Sequence, residues 1–287
     1  MREYLYRAPA TLEELFSVVS ADCETAFLAG GTDLVPKINL EREEIPFGQK
    51  KPLNIIWLGK LGLNTIEEKN GELLIGACTT LKDILNSSVV KEKLPVLIQT
   101  VSVMSGVSVR NTATLGGNIM NASPAADLVP SLMVLDSQFV LNGPAGERRV
   151  SASEFFTGPG ETKVAPGEIL AAVAIPISPG AAAFQKIGRR KAETLSVINA
   201  AAYVEVENGV CQAIRIAVGS AAPTVVRCEA VEKALIGKAL TEETVKEAAS
   251  KAVEAISPID DIRSTAWYRK KVAPVVVSRA IGMAAAV

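Results

Sequence analysis

The chain contains no histidine among its 287 residues. That absence removes the commonest metal ligand and general base, together with every Ser-His or Cys-His nucleophile arrangement. Its four cysteines, Cys23, Cys78, Cys211 and Cys228, form no C-x-x-C pair, so zinc and cluster sites have no ligand set and the expected metal ligands are none. They read as free, mostly buried thiols in a reducing cytoplasm. Aromatic residues are few, at 5%. No apolar stretch reaches the roughly 18 residues of a membrane span, and the first residues lack the apolar run of a secretory signal. With a formal net charge of −1 and no long block of one sign, nothing suggests a nucleic-acid surface. The runs Arg189-Arg190-Lys191 and Arg269-Lys270-Lys271 read as solvated faces. If redox or group-transfer chemistry occurs here, its reactive atoms belong to a bound cofactor, with the protein supplying position and electrostatics; no catalytic side chain is expected.

What is present is an ordinary globular composition, 48% hydrophobic and 21% charged, long enough for two domains. Thr11 and Glu14 form a capping box for a helix over 11–20. Phe27-Leu28-Ala29 is a short apolar strand running into a glycine turn and a short helix capped by Thr32 or Asp33. Residues 40–52 are polar and read as a surface loop. Strands follow at 55–58 and 73–76, separated by the Lys69-Asn70-Gly71 turn. Helices begin at Thr80 and over 95–105, the second C-capped by Gly106. Strands near 132–141, 168–175, 197–206 and 211–219 alternate with turns such as Glu207-Asn208-Gly209, and three helices close the chain at 226–238, 241–256 and 264–285. The pattern predicts an α+β fold with a helical C-terminal part.

Two segments share one chemistry. In "LAGGTDL" (28–34) and "TLGGNIMN" (114–121) a Gly-Gly pair precedes a short polar side chain. Paired glycines admit positive φ and leave no Cβ in the way, so backbone N–H groups can converge on an anionic oxygen such as that of a diphosphate. Neither segment matches the Rossmann or P-loop fingerprint. The residues alone lead to a phosphate-containing ligand, and a pair of tight turns remains open beside it.

Together with "RNTATLGGNIMNASPAADLVP" (110–130), "FQKIGRRKAETLSVINAA" (184–201) and "DDIRSTAWYRKKVAPVVVSRA" (260–280), these motifs resemble the FAD-binding medium subunit of molybdenum hydroxylases, the xanthine and carbon monoxide dehydrogenase flavoproteins. The resemblance runs the length of the chain. It implies a two-subdomain FAD-binding fold of the PCMH type plus a C-terminal subdomain of antiparallel sheet and three-helix bundle. The implied boundaries are 1–54, 55–177 and 178–287. A first loop around the FAD diphosphate would comprise Leu28, Ala29, Gly30, Gly31, Thr32, Asp33 and Leu34. A second would comprise Thr114, Leu115, Gly116, Gly117 and Asn118, with Gly116 and Gly117 giving amides and Thr114 and Asn118 side-chain bonds. Ser123 belongs to the same motif. Asp127 resembles the acid on the sugar or ribityl hydroxyls, Leu170 the apolar residue against the flavin ring, and Lys186 or its neighbour Gln185 the lysine near the cofactor. With no histidine, covalent flavin attachment through that residue is excluded.

The resemblance further implies an electron-relay oxidoreductase with two partners, a large subunit holding the molybdenum cofactor and a small subunit holding [2Fe-2S] clusters. Electrons pass from the clusters through FAD to NAD+ or another acceptor. The related hydroxybenzoyl-CoA reductases carry an inserted cysteine-ligated cluster, for which this sequence has no cysteines. Two other readings stay open: a self-contained FAD-dependent reductase, and a non-redox nucleotide-binding protein.

Overall fold

A computed structural model describes residues 3–19, 23–44 and 52–286. The chain opens with β1 (Tyr4–Arg7), α1 (Leu12–Val18), β2 (Glu24–Leu28), α2 (Leu34–Glu44) and β3 (Leu53–Trp57). The three strands form a parallel sheet ordered β1-β3-β2. Thr11 Oγ1 accepts the Glu14 N–H at 3.1 Å, and the Glu14 carboxylate reaches back to the Ala10 N–H at 2.8 Å. The capping pair thus works, one residue offset on the return bond. Helix α1 drives Leu15 against Ile56 and Leu58, and burying such a side chain contributes about 1.5–3 kcal/mol. The loop expected over 40–52 is partly helix, since α2 continues through Glu44; residues 45–51 lie outside the described residues. The first sheet also extends past residue 54, because β3 ends at Trp57.

The middle of the chain supplies β4 (Ile66–Lys69), β5 (Glu72–Gly76), α3 (Leu81–Asn86), α4 (Ser88–Lys93), α5 (Pro95–Ser102), α6 (Val107–Arg110), α7 (Leu115–Met120), α8 (Leu128–Val134), β6 (Gln138–Gly143), β7 (Gly146–Ser151), the small hairpin β8 (Phe156–Gly158) and β9 (Glu161–Thr162), and β10 (Ile169–Pro176). Strands β4-β5-β10-β6-β7 make an antiparallel sheet. Asn70 and Gly71 both take positive φ (55° and 78°) in the β4–β5 hairpin, as a two-residue turn of this hand requires. Two sequence expectations change here. Residues 132–134 are helix rather than strand: every residue of α8 is buried, and the short apolar run over 132–134 carries no periodicity to distinguish the two. Gly106 is not a C-cap but precedes α6 in extended conformation; the left-handed residue is Ser105, at φ 45°.

The C-terminal part comprises β11 (Ala181–Gly188), β12 (Ser196–Glu207), β13 (Val210–Gly219), β14 (Val226–Arg227), α9 (Glu229–Leu235), α10 (Glu242–Ala249) and α11 (Ala266–Ala285). Its antiparallel sheet runs β11-β12-β13-β14. Alternate residues of β12 enter opposite cores: Ala201 and Tyr203 join the core of the middle sheet and its helices, while Ala200, Ala202 and Val204 pack with the C-terminal helices. A strand covered on both faces loses the polar half of its alternation, hence the run SVINAAAYV. Arg269 is not on a solvated face. Its guanidinium is 1% exposed as a residue and donates to the carbonyls of Val197 (3.0 Å) and Ile259 (2.7 Å) and to Asp261 Oδ1 (2.7 Å), which satisfies a buried charge that would otherwise be prohibitive. Among the described residues no helix is long and apolar enough to cross a membrane.

Candidate functional site

The parallel sheet directs the carboxyl end of β2 into residues 29–33 and then into α2, the place where open α/β sheets bind ligands. Opposite stands α7. Between them lies a cleft of about 790 Å³, within the usual ~300–1,000 Å³ of small-molecule sites. Of the residues singled out from sequence, the cleft is lined by Ala29, Gly30, Gly31, Thr32, Asp33, Leu34, Gly116, Gly117, Asn118 and Leu170.

The two glycine pairs do different work. Around the second, the backbone is already bonded to protein: Leu115 N–H donates to Thr79 O (3.0 Å), Gly116 N–H to Ala77 O (2.8 Å) and Gly117 N–H to Thr114 Oγ1 (3.0 Å). The expected donation of the Gly116 and Gly117 amides to a ligand is therefore corrected; the buried Thr114 hydroxyl caps α7 by accepting the Gly117 N–H. What this wall offers is the Asn118 side chain, whose buried Oδ1 has no hydrogen bond among the described residues. Gly117 adds bare surface, where an added Cβ would meet only Thr114 Oγ1 at 3.0 Å. Around the first pair the amides are open. No described residue accepts from the N–H of Gly30, Gly31 or Thr32, and they precede an 11-residue helix whose dipole favours an anion. Gly31 has φ +73°. Gly30 is bare for another reason: a Cβ there would lie 1.8 Å from Thr112 O, so this glycine lets the two walls touch.

Leu28 ends β2 and Leu115 packs in the core, behind the lining. Ser123 Oγ accepts the Ala125 N–H in a local turn at 3.2 Å. Asp127 and Lys186 also stand apart from the cleft and meet each other instead. Lys186 Nζ lies 2.6 Å from Asp127 Oδ2, with side chains 7% and 9% exposed. Ser196 Oγ (2.5 Å) and Asn199 Nδ2 (2.7 Å) donate to Asp127 Oδ1. The carboxylate expected on sugar hydroxyls is thus occupied by three protein donors, knotting α8 to β11 and β12. Lys186 also borders a second cavity of about 590 Å³ with Arg189, Arg190 and Lys191.

Sequence reasoning missed several lining residues. Lys37 pairs with Asp33 (2.5 Å) and donates to Asn121 Oδ1 (2.9 Å), spanning from α2 to the end of α7; its signal was the i,i+4 spacing from Asp33. Thr25 presents a buried hydroxyl with no hydrogen bond among the described residues. Glu168, beside Leu170, is held below the ordinary carboxylate range by the Arg148 guanidinium, against the pull of burial, and the pair is bidentate at 2.6 and 2.7 Å. Burial pushes the Cys78 thiol up to about 11. Among the described residues no group of three or more His, Cys, Asp or Glu side chains is placed to hold a metal ion.

A parallel three-stranded unit and a mixed helix-and-sheet unit closing on an open-amide turn define a nucleotide-binding α+β protein whose cleft suits an elongated phosphate-containing cofactor. Its residues fit FAD on this structure's own terms: open amides at a helix start, an unbonded buried carboxamide, and a glycine wall without a Cβ.

Residues 2–178 match the family described as the FAD binding domain in molybdopterin dehydrogenase, and residues 182–284 match the CO dehydrogenase flavoprotein C-terminal domain. The chain is 31% identical to the glyceraldehyde dehydrogenase medium chain of Sulfolobus acidocaldarius over 279 residues, covering 97% of each. It is 30% identical to the xanthine dehydrogenase FAD-binding subunit of Escherichia coli O157:H7, covering 98% of this chain and 96% of that one. Among solved structures, a carbon monoxide dehydrogenase chain from Hydrogenophaga pseudoflava superposes with a TM-score of 0.91 at 31% identity, over 99% of this chain and 98% of that one. Quinoline 2-oxidoreductase of Pseudomonas putida 86 gives 0.90 at 30%, over 98% and 96%. The chain belongs to the family of FAD-binding medium subunits of molybdenum hydroxylases, and FAD is its cofactor.

Proposed function

We propose that this chain is the electron relay of a three-part cytoplasmic enzyme, taking electrons from the [2Fe-2S] clusters of a small subunit and passing them to NAD+ or another acceptor. A large subunit with the molybdenum cofactor performs the substrate oxidation. FAD, when bound, supplies the capacity for both one- and two-electron steps. This chain's residues bind and orient it: the Gly30, Gly31 and Thr32 amides at the diphosphate, Asn118 from the facing wall, Leu170 and its neighbours on the apolar flank.

The observation that carries the relay reading is the chemistry of the cleft lining. It holds no histidine, and the carboxylate beside Leu170 on the apolar flank, Glu168, is ion-paired to Arg148. A self-contained reductase needs a proton donor beside the cofactor; this lining offers position and charge instead. The test is an absorption spectrum of the full chain after incubation with FAD and desalting, followed by affinity capture of the co-expressed complex. One FAD per chain, with molybdenum and iron captured alongside, is expected. A folded chain that stays colourless both alone and in its complex would refute the reading.

A further inference from the structure

Lys37 is the only cation lining the cleft among the described residues. It stands one helical turn from Asp33, and its ammonium also bonds Asn121 on the opposite wall. Both members of the Asp33–Lys37 pair are exposed, at 53% and 61%. Such pairs are weak, so the ammonium can exchange partners at small cost. Beside it are the open amides of Gly30, Gly31 and Thr32 and the N-terminus of α2. Those groups attract an anion through partial charges only, and a diphosphate entering there also meets the Asp33 carboxylate. A full positive charge on a long stem is what the site otherwise lacks.

We infer that Lys37 is the counter-charge of the cofactor's diphosphate. Its ammonium exchanges Asp33 for a diphosphate oxygen while keeping Asn121, so one side chain neutralises the ligand and ties the two walls together. This inference rests on the FAD reading, and it assigns a residue that makes the cleft selective for diphosphate-bearing nucleotides.

The test is calorimetric titration of the full-chain apoprotein with FAD and with ADP at several salt concentrations, for wild type, Lys37→Gln and Lys37→Arg. Glutamine removes the charge while keeping a hydrogen-bond donor on a stem one atom shorter, and arginine keeps the charge, so the pair separates charge from hydrogen bonding. A hydrogen bond to an ionised partner is worth a roughly ten- to hundredfold change in affinity. Lys37→Gln is expected to weaken FAD and ADP by that factor and to flatten the salt dependence, with Lys37→Arg close to wild type. Wild-type affinity in Lys37→Gln overturns the role of Lys37 and leaves FAD binding standing. A wild type that binds ADP and not FAD overturns the flavin reading, and the Lys37→Gln loss on ADP then still decides the diphosphate role. Binding of neither nucleotide by wild type, both as the isolated chain and in the captured complex, overturns both.

Discussion

Replacing Asp127 by alanine removes the acceptor of three donors at once. Lys186 Nζ, with 7% of its side chain exposed, loses its counter-ion at 2.6 Å; Ser196 Oγ and Asn199 Nδ2 lose their acceptor at 2.5 and 2.7 Å. Breaking a buried ion pair from one side costs about 3–5 kcal/mol, because the remaining charge stays in a poor solvent. For a chain of this size that is a fall in thermal midpoint of roughly 10 °C. The assay is urea and thermal unfolding of the apoprotein by circular dichroism, with FAD affinity measured on the same preparations. The double variant Asp127→Ala/Lys186→Met is expected to regain much of the loss, since removing both partners leaves no uncompensated charge. A variant with wild-type unfolding and weakened FAD binding would refute the reasoning and restore the role suggested by family resemblance, a carboxylate on the cofactor's hydroxyls.

Two glycines of the cleft should respond in opposite ways. Gly30→Ala places a Cβ 1.8 Å from Thr112 O, so its thermal midpoint drops along with FAD affinity. A Cβ at Gly117 meets protein only at Thr114 Oγ1, so for Gly117→Ala FAD affinity falls more than tenfold while the apoprotein's midpoint moves by a few degrees at most; equal unfolding losses in both would contradict the assignment. Burial works against ionisation of Asp261, but hydrogen bonds from Arg263, from the Arg263 and Ser264 backbone and from Arg269 outweigh it, holding its carboxyl well below the usual range. A lowered folded-state pKa stabilises above the unfolded value of about 3.9 and is lost as pH falls through the folded one. The Asp261→Asn variant is thus expected to be less stable than wild type at pH 7, with the gap closing below about pH 4; a pH-independent gap in urea midpoints would count against it. With its thiol pushed up to about 11, Cys78 should be alkylated by iodoacetamide far more slowly at pH 7.5 than a free thiol, as peptide mass mapping will read.

Much of the molecule was legible in its sequence because the signals are local. The Thr11 and Thr80 caps, the Asn70-Gly71 and Asn208-Gly209 turns and the three C-terminal helices each depend on residues within a few positions of one another. The "AGGTDL" turn was legible for the same reason: Gly31 needs its positive φ whatever surrounds it. Helix α8 was not, since all seven of its residues are buried and its apolar run 132–134 carries no periodicity, so only the packing around them selects helix over strand.

The sequence by itself determined most of the elements, the cofactor class through its family motifs, and the absence of any histidine chemistry. Which atoms face the cofactor was decided by tertiary contacts. The Gly116 and Gly117 amides looked open until Ala77 O and Thr114 Oγ1 were found on them, and Asp127 looked available until residues 59, 69 and 72 positions away closed on it. A local signal states what a backbone can do. Whether an N–H or a carboxylate is left free depends on its neighbours across the fold, because most buried polar groups take whatever partner packing supplies.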